Sequence, residues 1–226
     1  MEVRNCTRRR LSDVFTKMSR RRSLLSKHTC GRKFYWILVV IFGLTTLGGI
    51  AGEVSRQFPV PIAISIADKV QFPDADADIM GFRMCLLYGR HANVSGLDIG
   101  VFGCVADGCL FGLQTSGILN SVGSANGALQ IAGIANNCLE DFYGAQIAGI
   151  ANKTDGSVYG GQIGTFNIAK EMGGTQIGVY NKADKALGVQ IGVINWATDM
   201  QGIQLGVLNV IKNGPCPYMT ILNMNF

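Results

Sequence analysis

A glutamine recurs along this chain at a fixed step, and that recurrence limits the fold more than any other feature. Residues 174–187, GTQIGVYNKADKAL, and 188–201, GVQIGVINWATDMQ, share Gly-x-Gln-aliphatic-Gly-x-x-Asn. Gln162, Gln176, Gln190 and Gln204 are spaced by fourteen. Gln114, Gln130, Gln146 and Gln162 are spaced by sixteen, and Asp98 holds the same slot one unit earlier. The longer units read QIAGIAN or QTSGILN instead of QIGVIN, with one extra residue in the motif and one in the connector. In the shorter units asparagine closes the motif, at Asn167, Asn181, Asn195 and Asn209. Eight units occupy residues 96–211, and FRMCLLYGRHANVS before them is a degenerate first unit. A fixed period over half a chain implies units that bury one another's faces.

The array leaves room for one domain among 226 residues, with a lead-in segment over 53–95 and a closing strand over 212–226. Thirty glycines with aliphatics in register describe an ordered array, not a disordered composition.

Charge is split along the chain. Residues 1–33 carry eleven Lys and Arg against Glu2 and Asp13, a net +9, whereas the remainder carries nine against thirteen, a net −4. Arginine runs such as RRRLSDVFTKMSRRR neutralise phosphates in nucleic-acid binders. Here the basic segment continues to Lys33 and is followed by FYWILVVIFGLTTLGGIAG, residues 34–52, nineteen residues without a charge. A basic flank before an apolar stretch of this length marks an export signal or a membrane anchor, with the basic side in the cytoplasm. No nucleic-acid partner is therefore expected, and the membrane is the expected partner of residues 34–52. The stretch is long enough to span a bilayer as a hydrophobic helix, and it ends in Gly49-Ile50-Ala51, small residues that suit a signal peptidase. Cleaved signal and retained anchor both stay open, as does a start at Met18. Either way, residues beyond 52 belong outside the cytoplasm.

Beyond the apolar stretch lie Cys85, Cys104, Cys109, Cys138 and Cys216, an odd number. Cys104 and Cys109 are near enough in sequence to pair in an oxidising compartment, or are small buried residues. No cysteine directly follows the apolar stretch, which gives no support to a lipoprotein.

Within GVQIGVINWA, Val189, Ile191 and Val193 alternate with Gln190 and Gly192, the period of a strand. Charged connectors such as KADKAL and KTDGSVY read as solvent-facing turns. The fold class is all-β, and two architectures accommodate it. In a β-solenoid each unit is one coil, and Gln stacks over Gln, Asn over Asn, Ile over Ile. Its thin core would be Val189, Ile191, Val193, Ala197 and Met200, with Ile163, Ile177, Ile191 and Leu205 as one buried column. In an antiparallel outer-membrane barrel each unit is a strand plus a turn with a lipid-facing band; the ending YMTILNMNF suits it. Recurring amides favour the solenoid, because side-chain ladders reward parallel register. The glutamines and asparagines of the motif are accordingly read as ladder residues.

The lead-in GFRMCLLYGRHANVSGLDIGV at 81–101, the tandem Gly-x-Gln-aliphatic-Gly units and the closing ILNMNF together resemble bacterial surface-repeat proteins built of G-[LV]-Q-[IL]-G-[LV]-x-N units. The likeness covers about residues 60–226. It implies an exported, cell-envelope or surface-displayed protein, of a family whose members mostly have no assigned biochemical activity. The long basic N-terminus and the QIAGIAN units depart from the pattern.

Catalytic residues are not apparent. His28 and His91 are the two histidines, and no Ser-His-Asp constellation is in range. Asp74, Asp76 and Asp78 in FPDADADIM alternate as calcium-loop carboxylates do, but the glycine and distal glutamate of an EF-hand loop are missing, and a solvated turn is the reading. No cofactor is expected. Three roles remain: a structural or interaction module whose repeat faces meet a protein or envelope partner, a barrel acting as pore or plug, and a basic-tailed membrane protein touching nucleic acid or anionic lipid.

Overall fold

Alternating aliphatic and polar residues, with a glycine in every unit, leave the strand as the one conformation the repeat can adopt. The computed structural model describes residues 59–67 and 70–226. The basic tail over 1–33 and the hydrophobic helix expected over 34–52 lie outside the described residues. Strands are β1 (Val60–Ala67), β2 (Val70–Phe72), β3 (Asp78–Cys85), β4 (Tyr88–His91), β5 (Asn93–Gly100) and β6 (Gly103–Ser116). They continue with β7 (Leu119–Ala132), β8 (Ala135–Cys138), β9 (Phe142–Ala148), β10 (Ala151–Ile163), β11 (Phe166–Ile211) and β12 (Tyr218–Asn225). No helix occurs among the described residues, and none is long and apolar enough to cross a membrane.

The chain winds into a parallel β-solenoid. Gln162 pairs with Gln176 in register, Gln146 with Gln162, Gln130 with Gln146 and Gln114 with Gln130. Asp98 pairs with Gln114 and Arg83 with Asp98, so the degenerate first unit is a true coil. Each coil has a glutamine arm (for example β9) and an asparagine arm (for example β8), joined by two corners. Antiparallel strands close both ends of the stack: β2 on β1, and β12 on the last coil of β11. The sheet of the described residues runs from β12 to β2 without joining its ends, so the barrel is not the architecture.

Coil length sets what the interior holds. Sixteen-residue coils enclose Leu110, Val122 and Phe142 together with Ala106 and Ala125, and the fourteen-residue coils, two residues shorter, enclose Met172 and Met200 together with Ala183, Ala186 and Ala197. Large and small side chains alternate within each section, as close packing of a narrow core requires. Backbones come close at the motif glycine in coils of both lengths. Gly188 has φ +135, and a Cβ on it would stand 2.1 Å from the carbonyl oxygen of Gly174 in the coil below. Only glycine both tolerates that backbone and leaves room for that approach.

The expected core had the wrong face. Ile163, Ile177, Ile191 and Leu205 do form one column, but it points outward, at 45%, 40%, 40% and 40% exposure. Val193 is also exposed and Val189 half-buried; of the residues expected inside, Ala197 and Met200 are there. Alternation fixes the consequence. With Gln190 pointing in, its neighbours Val189 and Ile191 must point out.

Candidate functional site

Two features of the coil stack carry the chemistry: a polar interior column pair and an apolar outer face. All seven glutamines read from the sequence are buried and form one hydrogen-bonded line. Gln130 Nε2 donates to Gln114 Oε1 at 2.7 Å, and the pattern repeats through Gln146, Gln162, Gln176, Gln190 and Gln204 at 2.7–2.9 Å. Asn167, Asn181, Asn195 and Asn209 form the second line, joined at its start by Asn120, Asn136 and Asn152. Those three close the QTSGILN and QIAGIAN variants, so the sequence did carry the signal for them.

The two lines run in opposite senses. Each glutamine donates toward the N-terminal end of the stack and each asparagine toward the C-terminal end, as when Asn181 Nδ2 donates to Asn195 Oδ1 at 2.8 Å. The asparagine sense is locked by the second amide proton. Asn181 Nδ2 also donates to the Ile191 carbonyl at 2.8 Å, and Asn195 Nδ2 to the Leu205 carbonyl at 2.9 Å. A line of donors leaves one acceptor free at its tail. Those acceptors are Gln204 Oε1 and Asn120 Oδ1, at opposite ends, and neither has a partner among the described residues. Stacking thus satisfies a buried polar column at every rung and confines the desolvation cost to its ends.

At the donor end of the glutamine line sits a buried ionic cluster that sequence reasoning assigned only as a degenerate repeat. Gln114 Nε2 donates to Asp98 Oδ2 at 2.8 Å. Arg83, wholly buried, donates from Nε to Asp98 Oδ1 at 2.8 Å and makes a second contact through Nη2 to Oδ2. Arg83 Nη1 donates to the Val105 carbonyl at 2.8 Å and to His91 Nδ1 at 3.1 Å. The arginine can only donate, so Nδ1 accepts, and His91 Nε2 carries the proton it donates to the Pro73 carbonyl at 3.3 Å. Burial and then the neighbouring guanidinium push His91 down to about 4, so it is neutral near pH 7. Burial works against the charge on Arg83, but Asp98 outweighs it and raises its pKa. His91 is therefore a neutral acceptor for Arg83.

Cys85, Asp98 and Cys104 bring three possible ligand atoms within 4.8 Å of one another. The cluster fits a resident cation poorly. Both oxygens of Asp98 are already occupied by Arg83 and Gln114, and a cation there would face the guanidinium. The Cys104 thiol donates to Cys85, which raises Cys104 and lowers Cys85. Cys104 is free and buried, so no Cys104–Cys109 disulfide forms. Asp74, Asp76 and Asp78 do not assemble a three-ligand group; the Asp74 carbonyl accepts Ala77 N–H in a turn, and Asp78 Oδ1 accepts Asn93 Nδ2 at 2.6 Å.

The outer face belongs to the glutamine arm. Its first column runs Met84, Ile99, Thr115, Ile131, Ile147, Ile163, Ile177, Ile191, Leu205. Its second runs Phe82, Leu97, Leu113, Leu129, Ala145, Gly161, Thr175, Val189, Ile203. Neither column contains a charge. Beside the first, the corner glycines 164, 178 and 192 floor a shallow groove of about 570 Å³ walled by isoleucines and valines. Every described charged side chain other than Arg83 and Asp98 lies on the asparagine arm, on the corner that follows it, or in the turn at Asp74–Asp78. Three surface pairs are there, Arg90 with Asp107 at 2.7 Å, Lys153 with Asp155 at 2.9 Å and Lys185 with Glu171 at 3.3 Å, and Lys212 sits 5.0 Å from the Trp196 ring. The solenoid is amphipathic across its section.

Compared with known protein families, curated proteins and solved structures, the chain matches none. The solenoid and its two ladders therefore define it by class alone, as a parallel-stacked β-repeat protein with an amide-lined interior.

Proposed function

We propose that this chain is an exported or membrane-anchored structural and interaction module without catalysis. One observation carries the reading: the reactive side chains of the stack are consumed in holding it together, while its large apolar face is left to the outside. Asp98, Arg83 and His91 hydrogen-bond one another, and the amide columns bond along the axis. A stack of in-register coils with a continuous uncharged face is suited to display and contact. The likeness of residues 60–226 to surface-repeat proteins, and the basic flank before the apolar stretch 34–52, support a place in the cell envelope, reached by export or held by an anchor. Partners on this reading are the membrane through residues 34–52 and a protein or envelope component on the repeat faces.

A reporter enzyme active only outside the cytoplasm, fused after residue 60, tests it. Activity that disappears when residues 34–52 are deleted is the expected result, and an intact fusion that stays inactive overturns the reading.

A further inference from the structure

A sheet with one solvated face normally keeps its apolar residues on the inner side. In this solenoid the glutamine arm buries amides beside an apolar column of Val94, Leu110, Phe142 and Val158, and carries isoleucines on its outer side as well. The uncharged face continues past the repeats at both ends: Ile62 and Ile64 of β1 stand beside Phe82 and Met84, and Leu222 and Met224 of β12 stand beside Leu205 and Ile203. At about 4.8 Å per strand pass it is on the order of 50 Å long, a contiguous apolar face of the kind that marks an interaction or membrane site.

We propose that this face lies on a lipid bilayer, at the boundary of headgroups and acyl chains, with the asparagine arm in water. Three observations select lipid as the occupant. The first is tether length. Residues 34–52 end six residues before Pro59, and six extended residues reach about 20 Å, so a bilayer holding that stretch also holds the solenoid beside it. The second is contour. The second column falls from Leu113 and Leu129 to Ala145 and Gly161, then rises to Val189 and Ile203, which makes a trough at mid-length. A second rigid copy would bridge the trough and leave a void, whereas acyl chains fill it. The third is the placement of charge. The described residues outside the buried pair carry more acidic than basic groups, none in the two columns of the face; those of the asparagine arm are on the side turned away, and the others sit at the corner or turn that edges the face, where they stay hydrated.

The tether argument rests on the membrane reading of residues 34–52; the face itself does not, and one set of full-length variants separates them. Trp36 lies in the apolar stretch and Trp196 on the asparagine arm, so each serves as the sole tryptophan of one variant. The third variant combines Ile191→Trp with Trp36→Phe and Trp196→Phe. Each is reconstituted with phosphatidylcholine vesicles, with and without brominated acyl chains, and titrated with iodide. Bromolipid should remove most of the emission of Trp36 and of the Ile191→Trp reporter, while Trp196 keeps its emission and stays open to iodide. Quenching of Trp36 without the Ile191→Trp reporter leaves the anchor standing and overturns the docked face. Quenching of that reporter without Trp36 upholds the face and removes the anchor. A reporter shielded from iodide yet untouched by bromolipid shows a second copy or the chain itself covering the face, and overturns the proposal. Ile163→Trp, on the same column, supplies a second reporter if the first variant does not fold.

Discussion

Arg83 and Asp98 stand one above the other in the slot that glutamine fills in every later coil, and Arg83 Nε donates to Asp98 Oδ1 at 2.8 Å. The pair does for the first two rungs what the amides do for the rest. Asp98 offers acceptors only, so it can receive the last donor of the glutamine line, and Arg83 offers donors only, so it can balance Asp98. The ladder therefore ends on a neutralised carboxylate and not on a bare amide proton.

Replacing Asp98 by Asn leaves the Arg83 charge buried without its counter-ion. A cost of about 3–5 kcal/mol is expected. The double change Arg83→Gln with Asp98→Gln extends the amide line by two rungs and should recover most of it. Urea unfolding of the three proteins measures both.

Neighbouring residues on one strand should respond in opposite ways. Gln190→Leu strands the acceptor Gln176 Oε1 and removes the acceptor of Gln204 Nε2, at about 1–3 kcal/mol for each unsatisfied group. Ile191→Asp, one position on but facing out at 40% exposure, should cost under about 1 kcal/mol in detergent-free solution. Thermal unfolding of the two variants decides which face is the interior.

Gly188→Ala places a methyl group 2.1 Å from the Gly174 carbonyl oxygen on a backbone with φ +135. Strain and backbone displacement together should cost about 3 kcal/mol or more. Coils in a solenoid touch only their neighbours, so limited proteolysis should open near residues 174–202 first and leave the Asp98 end protected.

Acid should weaken the Arg83 end of the stack. His91 is held down at about 4 in the folded chain against an ordinary 6.5, so the unfolded chain binds the extra proton first. Stability from this group is complete above about pH 6.5 and falls as pH drops toward 4, by about 3 kcal/mol in total. His91→Asn keeps an acceptor for Arg83 and cannot titrate; comparing its unfolding midpoint with that of the native protein at pH 7, 5.5 and 4 isolates the effect.

Much of this molecule is legible in its sequence. The step between glutamines fixes the coil length, the glycine in each unit rules out helix, and like residues at like slots call for parallel register, from Asp98 under Gln114 to Gln190 under Gln204. Period-two alternation, however, defines two faces without saying which is inner. Taken alone, Ile191 has the stronger claim to burial and Gln190 the weaker, because a lone buried amide lacks partners. The partners come from the coils above and below, where Gln176 and Gln204 present an acceptor and a donor in line with it. Burial of Gln190 is cheap only once the neighbours are stacked, a property of the array and of no single unit. The ionic cluster was hidden for the same reason: Arg83, His91, Asp98 and Val105 meet because winding brings separate coils to one point. Sequence determined the period and the register of the stack. Tertiary structure decided its inside and its outside, since hydrogen bonds along the axis exist only between coils.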